Sequence, residues 1–217
     1  VTNPPYIGSG GMNDTLTDFI KKNYYVSRGD LFAVFMEKWC RMLKPFGFNA
    51  MVTMHSWMFL SGFENFRRQI FKNMTVSVLL HMDVMVMGIA FGTCATVFRN
   101  NIKNYKGVFT HVKKSDIKDE IPVDFPVPGN RYAEISTDRF EKIPGTPVSF
   151  WAGENALKAF EGKMVEDYGI AKSGVQTGDN ERFLRFWFEV DRSKIAFGMK
   201  DKDSFLKSGK KWIPQIT

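Results

Sequence analysis

Apolar positions recur along this chain with two periods. After Asn13-Asp14, Leu16, Phe19 and Ile20 fall at helical spacing behind a capping pair, which predicts a short helix. Asp30 opens a stronger one. Phe32, Phe35, Met36, Trp39 and Leu43 form a stripe at three- and four-residue spacing, which reads as core, and Pro45 and Gly47 end it. Phe48 to Met54 then alternates apolar residues with Asn49 and Thr53, the signature of a strand. Ser61-Gly62-Phe63-Glu64 has the form of a capping box, and the helix it predicts runs on through Phe66 and Ile70. Thr75 to Leu80 and Cys94 to Phe98 are β-branched, apolar strands, with a further strand at Val108 to Val112. Residues 1–112 thus predict an α/β fold, the second half of a doubly wound, Rossmann-like domain. His55-Ser56-Trp57 fall at the carboxyl end of a strand, where such sheets bind ligands.

From Lys113 to Arg131 the texture changes. Charges alternate with Pro122, Pro126 and Pro128 and end in Gly129-Asn130, which predicts a linker over 113–131. Beyond it, 132–217 reads as a separate α+β region with a short helix around 156–160. A Gly-rich, polar stretch at 173–180 follows, close to Arg182, Arg185, Phe186 and Trp187. Small polar turns beside arginines suit phosphate contact, so Gln176, Thr177, Asn180 and Arg182 are candidate DNA contacts.

Composition narrows the picture further. At 44% hydrophobic and 15% aromatic, the chain can bury a core. Its net charge of +7 and pI of about 9.3 permit a polyanionic partner. Lys21, Lys22 and Arg28 surround Tyr24-Tyr25, a basic and aromatic lip able to touch a DNA backbone. Cys40 and Cys94 each sit in an apolar run and read as buried thiols of a cytoplasmic protein. The chain has no run of 18 or more apolar residues and no signal peptide, so no membrane partner is expected. His55, His81 and His111 lie far apart in sequence and read as separate structural residues, with no metal site expected.

The opening Asn3-Pro4-Pro5-Tyr6 carries the sharpest chemistry. A nitrogen conjugated to an aromatic ring or a carbonyl is a poor nucleophile, because its lone pair is delocalised. An Asn side-chain oxygen and a peptide carbonyl can both accept from such an NH2 and favour the geometry in which the lone pair attacks a methyl group. Two prolines stiffen the turn and aim the Pro4 carbonyl beside Asn3. Tyr6 offers a face to a flat base, and Phe91 is placed to face it from the other side. Val1-Thr2 read as the end of a strand, and Gly8-Ser9-Gly10-Gly11 as the loop that follows.

Five segments together carry a resemblance: Asn3–Gly10, Asp30–Glu37, Met51–Leu60, Phe91–Asn100 and Gly174–Phe183. They resemble the adenine-specific DNA methyltransferases of bacterial BREX phage-defence systems, the PglX type, relatives of large restriction–modification N6-adenine enzymes. The resemblance implies transfer of a methyl group from S-adenosylmethionine (AdoMet) to an extruded adenine in double-stranded DNA, with no metal, and other phage-defence proteins as possible partners. It implies that Asn3 and the Pro4 carbonyl hold the amine, that Tyr6 and Phe91 stack on the base, and that Asp30 lies near the cofactor. It also implies that 132–217 opens a target-recognition region. The family's Gly-rich AdoMet motif lies upstream of Asn-Pro-Pro-Tyr and is not in this chain, so the chain is expected to be an internal fragment, inactive alone. A protein glutamine N5-methyltransferase, which uses the same tetrapeptide on a planar amide, is an alternative. A catalytically inert DNA- or protein-binding module of methyltransferase shape is another.

Overall fold

The computed structural model describes residues 1–100, 105–169 and 178–214. One compact unit spans Val1–Met164 and a second Val165–Thr217. The first is built on a five-stranded sheet. Its strands are β1 (Phe48–Met54), β2 (Met74–Met82), β3 (Thr93–Asn100), β4 (Lys106–Val112) and β7 (Tyr132–Ser136), in the order β1-β3-β2-β4-β7. β3 runs antiparallel to β1 and β2, β4 runs parallel to β2, and β7 closes the sheet antiparallel to β4. A two-stranded hairpin, β5 (Ile117–Lys118) with β6 (Ile121–Pro122), stands apart from this sheet. The helices are α1 (Asp14–Asn23), α2 (Leu31–Arg41), α3 (Glu64–Asn73) and α4 (Glu154–Ala159).

The expected strands form where the period-2 pattern placed them, and on β1 the polar residues face inward. Asn49 and Thr53 are buried with Met51. They face sulfur: Asn49 Nδ2 donates to Cys40 Sγ at 3.2 Å, and Thr53 Oγ1 lies 3.4 Å from Cys94 Sγ. A short polar side chain can enter a core when a soft acceptor meets it there. Both cysteines are free and buried, and burial pushes the Cys40 thiol up to about 11.

Asn13 and Asp30 cap α1 and α2 as the sequence indicates, accepting from Leu16 N at 2.9 Å and Phe32 N at 3.2 Å. Along α2 the buried face is Phe32, Ala33, Val34, Met36, Glu37 and Cys40, while Trp39 of the expected stripe is 41% exposed. The Ser61 capping box does not form. Residues 61–63 make a 3-10 turn, no side chain caps α3, and Glu64 pairs instead with Arg68 at 2.9 Å. The fully buried rings of Phe32, Trp57, Phe66, Phe98, Phe109 and Phe140 make the core between sheet and helices. Each such side chain contributes about 1.5–3 kcal/mol on burial.

The proline- and charge-rich stretch at 113–131 does not divide the compact units. Its prolines and charges belong to the β5–β6 hairpin and exposed turns, after which the chain returns to the same sheet: β7 pairs Ala133 with Phe109. Phe140, Val148 and Phe150 then join the core of the first unit. One residue secures that return. The Arg67 guanidinium is 1% exposed and donates to four carbonyls: those of Trp57 and Leu60 at 2.8 Å each, Thr146 at 2.9 Å and Gly145 at 2.5 Å. Burial lowers its pKa to about 10. Beside it, Val148 N donates to Met58 O at 2.9 Å. Gly107 is required where β4 passes the bulge between Val76 and Val78, since a Cβ there would lie 2.0 Å from the Val76 carbonyl oxygen.

The second unit carries α5 (Asn180–Phe183) and α6 (Lys202–Lys207), capped by Asp179 and Asp201, and an isolated bridge between Ile195 and Trp212. Among its described residues Ala196 alone is buried, and Trp187 is 81% exposed.

Candidate active site at the sheet edge

β1, β2 and β4 point the same way, so their carboxyl ends share one edge of the sheet. The tetrapeptide arrives at that edge. Thr2 makes a parallel bridge to Met51, with Thr2 N donating to Ala50 O at 3.1 Å and Val52 N to Thr2 O at 3.3 Å. The chain then leaves the sheet: Pro4 is buried in the turn and Asn3 is exposed. Tyr6 is half-buried. Its hydroxyl donates to Asn3 Oδ1 at 2.7 Å and lies 3.0 Å from the Val52 carbonyl. That contact sets which way the Asn3 amide faces. Burial, with Cys94 as a smaller contributor, raises the Tyr6 pKa, so the hydroxyl stays a donor.

The structure brings Asn3, Pro4, Tyr6 and Phe91 together. Tyr6 and Phe91 meet edge to face, with centroids 5.7 Å apart at 87°, and Phe32 touches Tyr6 edge-on at 6.2 Å. These are not the two parallel walls that the sequence suggested. Two rings in direct contact favour the edge-on arrangement, because each π face is negative and each rim positive. A flat base stacked on Tyr6 must take the place of the Phe91 edge.

The other expected site residues scatter. Asp30 is part of the same loop: Gly8 bridges to it, and Leu31 N donates to Ile7 O at 3.0 Å. Its carboxylate caps α2. Burial raises its pKa against the lowering pull of backbone hydrogen bonds from Phe32, Ile7 and Leu31. Lys21 and Arg28 share a cleft of about 250 Å³ with Ser9 and Gly29, and Lys22 lies exposed outside it. Arg28 sits 3.7 Å over the Tyr25 ring and donates to Tyr25 O. Gln176 and Thr177 lie outside the described residues. Asn180 and Arg182 belong to the second unit, where Asn180 opens α5 and Arg182 is exposed, 5.1 Å from the Phe183 ring.

The three histidines do not act separately. His81 and His111 are register partners on β2 and β4, and their rings stack at 4.3 Å and 15°. His55 Nδ1 lies 2.8 Å from His81 Nε2, and His111 Nε2 lies 2.8 Å from Asp83 Oδ1. Gly92 packs flat on the His55 ring, where a Cβ would come within 2.2 Å. This row therefore begins beside Phe91 and ends at Asp83. His81 is buried, and its Nδ1 has no hydrogen-bond partner. Burial, then the neighbouring His111 and His55, hold its pKa down to about 3; burial also lowers that of His55. Donor atoms of His81, Asp83 and His111 gather within 4.8 Å, a grouping that separation in sequence concealed. The signal was there in another form: each histidine closes or follows a strand at its carboxyl end.

The mixed sheet is part of an AdoMet-dependent methyltransferase fold. The fold is shared with a chain from a structure of the type I R-M system, at TM-score 0.50 and 15% identity, covering 72% of this chain and 37% of that one. Residues 1–86 match the model of the Eco57I restriction-modification methylase family. The chain is 33% identical over 209 residues to the adenine-specific methyltransferase PglX of Lacticaseibacillus casei (strain Zhang), across 91% of its own length. It is 34% identical over 227 residues to the adenine-specific methyltransferase BrxX of Escherichia coli O9:H4 (strain HS), across 99%. It spans 17% and 18% of those two relatives' lengths. The chain is thus similar to one segment of PglX-type adenine-specific methyltransferases.

Proposed function

We propose that this segment supplies the amine-holding half of a DNA adenine N6-methyltransferase that marks host DNA in the cytoplasm as part of phage defence. The observation that carries this reading is the pairing of Asn3 with Tyr6 at the sheet edge. Asn3 Oδ1 already accepts from the Tyr6 hydroxyl, and an amide oxygen has a second lone pair. That lone pair and the Pro4 carbonyl accept the two N–H bonds of the adenine amine. Both acceptors draw the amine away from conjugation with the ring, and its lone pair becomes available to the incoming methyl group. An adenine inside a duplex cannot reach this edge, so the base is extruded and laid against Tyr6, with Phe91 swinging to cover it. The work is positioning, and it needs no covalent intermediate.

The methyl donor in this enzyme class is AdoMet, which supplies an electrophilic methyl on sulfonium. Asp30, the residue the sequence offered, has its carboxylate engaged in capping α2, and no step is assigned to it. The 132–217 stretch is read as reaching toward target recognition only beyond Met164. The exposed arginines and aromatic residues of the second unit support that role.

The test is a chimera in which residues 1–217 replace the matching segment of the PglX relative. The chimera is expected to methylate adenine N6 in duplex DNA with AdoMet, and Asn3→Ala to lose that activity while still folding. A folded, AdoMet-binding chimera that methylates no adenine, or one in which Asn3→Ala changes nothing, overturns the assignment.

A further inference from the structure

The sheet edge holds a cavity away from the tetrapeptide. A cleft of about 700 Å³ opens between Phe59, His81, His111, Lys113, Asn130 and Trp151. It takes its walls from five separate stretches: the residue after the 3-10 turn that follows β1, the end of β2, the end of β4, the turn before β7, and the segment that Arg67 fastens. Its chemistry is of two kinds. Trp151 packs on Phe59 at 5.6 Å and on Phe150 at 5.0 Å yet remains 44% exposed, so it presents an aromatic surface to the cleft. Around that surface stand polar groups. Asp116 pairs with Arg131 at 2.5 Å, and Asp83 is hydrogen-bonded to His111. Lys113 forms no ion pair among the described residues. His81 lines the cleft, and its Nδ1 is buried without a hydrogen-bond partner.

A ring surface, an unmatched cation, a polar back wall and room for one ligand of several hundred cubic ångströms fit a nucleotide. The geometry points to a second nucleotide site: a base of the DNA strand stacks on Trp151 with its edge toward the wall of His81 and His111, and its phosphate meets Lys113. This rests on the reading of the chain as part of a DNA methyltransferase, and it specifies where the strand beside the target adenine is held. The two sites are joined through the protein. Phe91 touches Tyr6, its neighbour Gly92 lies on His55, and His55 contacts His81. A base laid against Tyr6 therefore bears on the row that lines the cleft.

The 217-residue chain itself provides the test, by NMR. The indole N–H of Trp151 is assigned with Trp151→Phe, and the His111 ring signals are followed beside it. Four probes are titrated: a five-nucleotide single-stranded oligodeoxynucleotide, dAMP, inorganic phosphate and Zn²⁺. The oligonucleotide is expected to shift both residues saturably and to bind at least tenfold more tightly than dAMP. Trp151→Ala and Lys113→Ala are each expected to weaken it by about tenfold or more, with the remaining amide spectrum unchanged. Asn3→Ala is expected to leave this binding intact while abolishing methylation in the chimera, so either reading can fail without the other. The proposal is overturned if dAMP binds as tightly as the oligonucleotide, if phosphate alone reproduces the shifts, or if Trp151→Ala leaves affinity unchanged. It is also overturned if the signals respond to Zn²⁺ through His81 and Asp83 and not to the oligonucleotide.

Discussion

The sheet edge has two corners built in opposite ways. The tetrapeptide corner is local: Asn3, Pro4 and Tyr6 lie within four residues, and one hydrogen bond between Tyr6 and Asn3 orients it. The histidine corner is assembled from His55, His81, His111, Lys113 and Trp151, which meet only after β1, β2 and β4 are in register and residues 143–151 are tied down. A local site tolerates loss of distant contacts, whereas an assembled one inherits every weakness of its scaffold.

The sharpest way to break this contrast is at Arg67. Arg67→Leu removes donors from four carbonyls, those of Trp57 and Thr146 buried, and is expected to destabilise the first unit by about 3–5 kcal/mol in urea melts. The histidine corner should lose its Trp151 wall first, with the tetrapeptide turn keeping its contacts to β1. Asn3→Ala is the complementary change. Since Asn3 is exposed, melting should not move, while the chimera's kcat falls about 10²–10³-fold, the size seen when one preorganised hydrogen-bonding group is lost.

Acid should separate the corners too. The folded-state pKa of His81 is about 3, below the value near 6.5 it has when unfolded, so the unfolded chain takes up the proton first. Its contribution is complete above about pH 6.5 and is lost as pH falls from there toward 3, on the order of a few kcal/mol. Melts across that range in wild type and His81→Gln should diverge, the variant showing the shallower slope. Gly92→Ala drives a methyl into the His55 ring and is expected to cost about 1–3 kcal/mol. Its effect should appear as shifted His55 and His81 ring signals, with those of Lys21 and Arg28 unmoved. The smallest effect is expected at the basic lip. Lys21→Ala should leave stability unchanged and lower the salt slope of the chimera's DNA binding by about one if Lys21 meets a phosphate.

Much of the fold was legible because it is written in short-range periodicity. Asn13, Asp30, the alternation over 48–54 and the β-branched run from Thr75 each act through neighbours in sequence. Three features that the local pattern did not carry have physical causes. Polar Asn49 and Thr53 point into the core because cysteine sulfurs receive them. Ser61 does not cap, since a 3-10 turn places Phe63 at the helix start. The prolines of 113–131 mark an excursion from the sheet, and no local signal says whether a chain that leaves will return. At the site, Asn3 and Tyr6 could be read from the tetrapeptide alone. The angle between Tyr6 and Phe91 could not, because Phe91 is set by the loop between β2 and β3. The histidine row was hidden for the same reason: His81 and His111 are thirty positions apart and become neighbours only through parallel pairing.

The Arg67 cluster sets a limit on what can be exchanged there. Lysine would keep the positive charge but carries its three donors on one nitrogen, and a single nitrogen cannot span carbonyls from both 57–60 and 145–146. What the position demands is the breadth of a planar fork. Among the twenty side chains, arginine alone has it, and a replacement chosen for charge would fail as surely as one chosen for size.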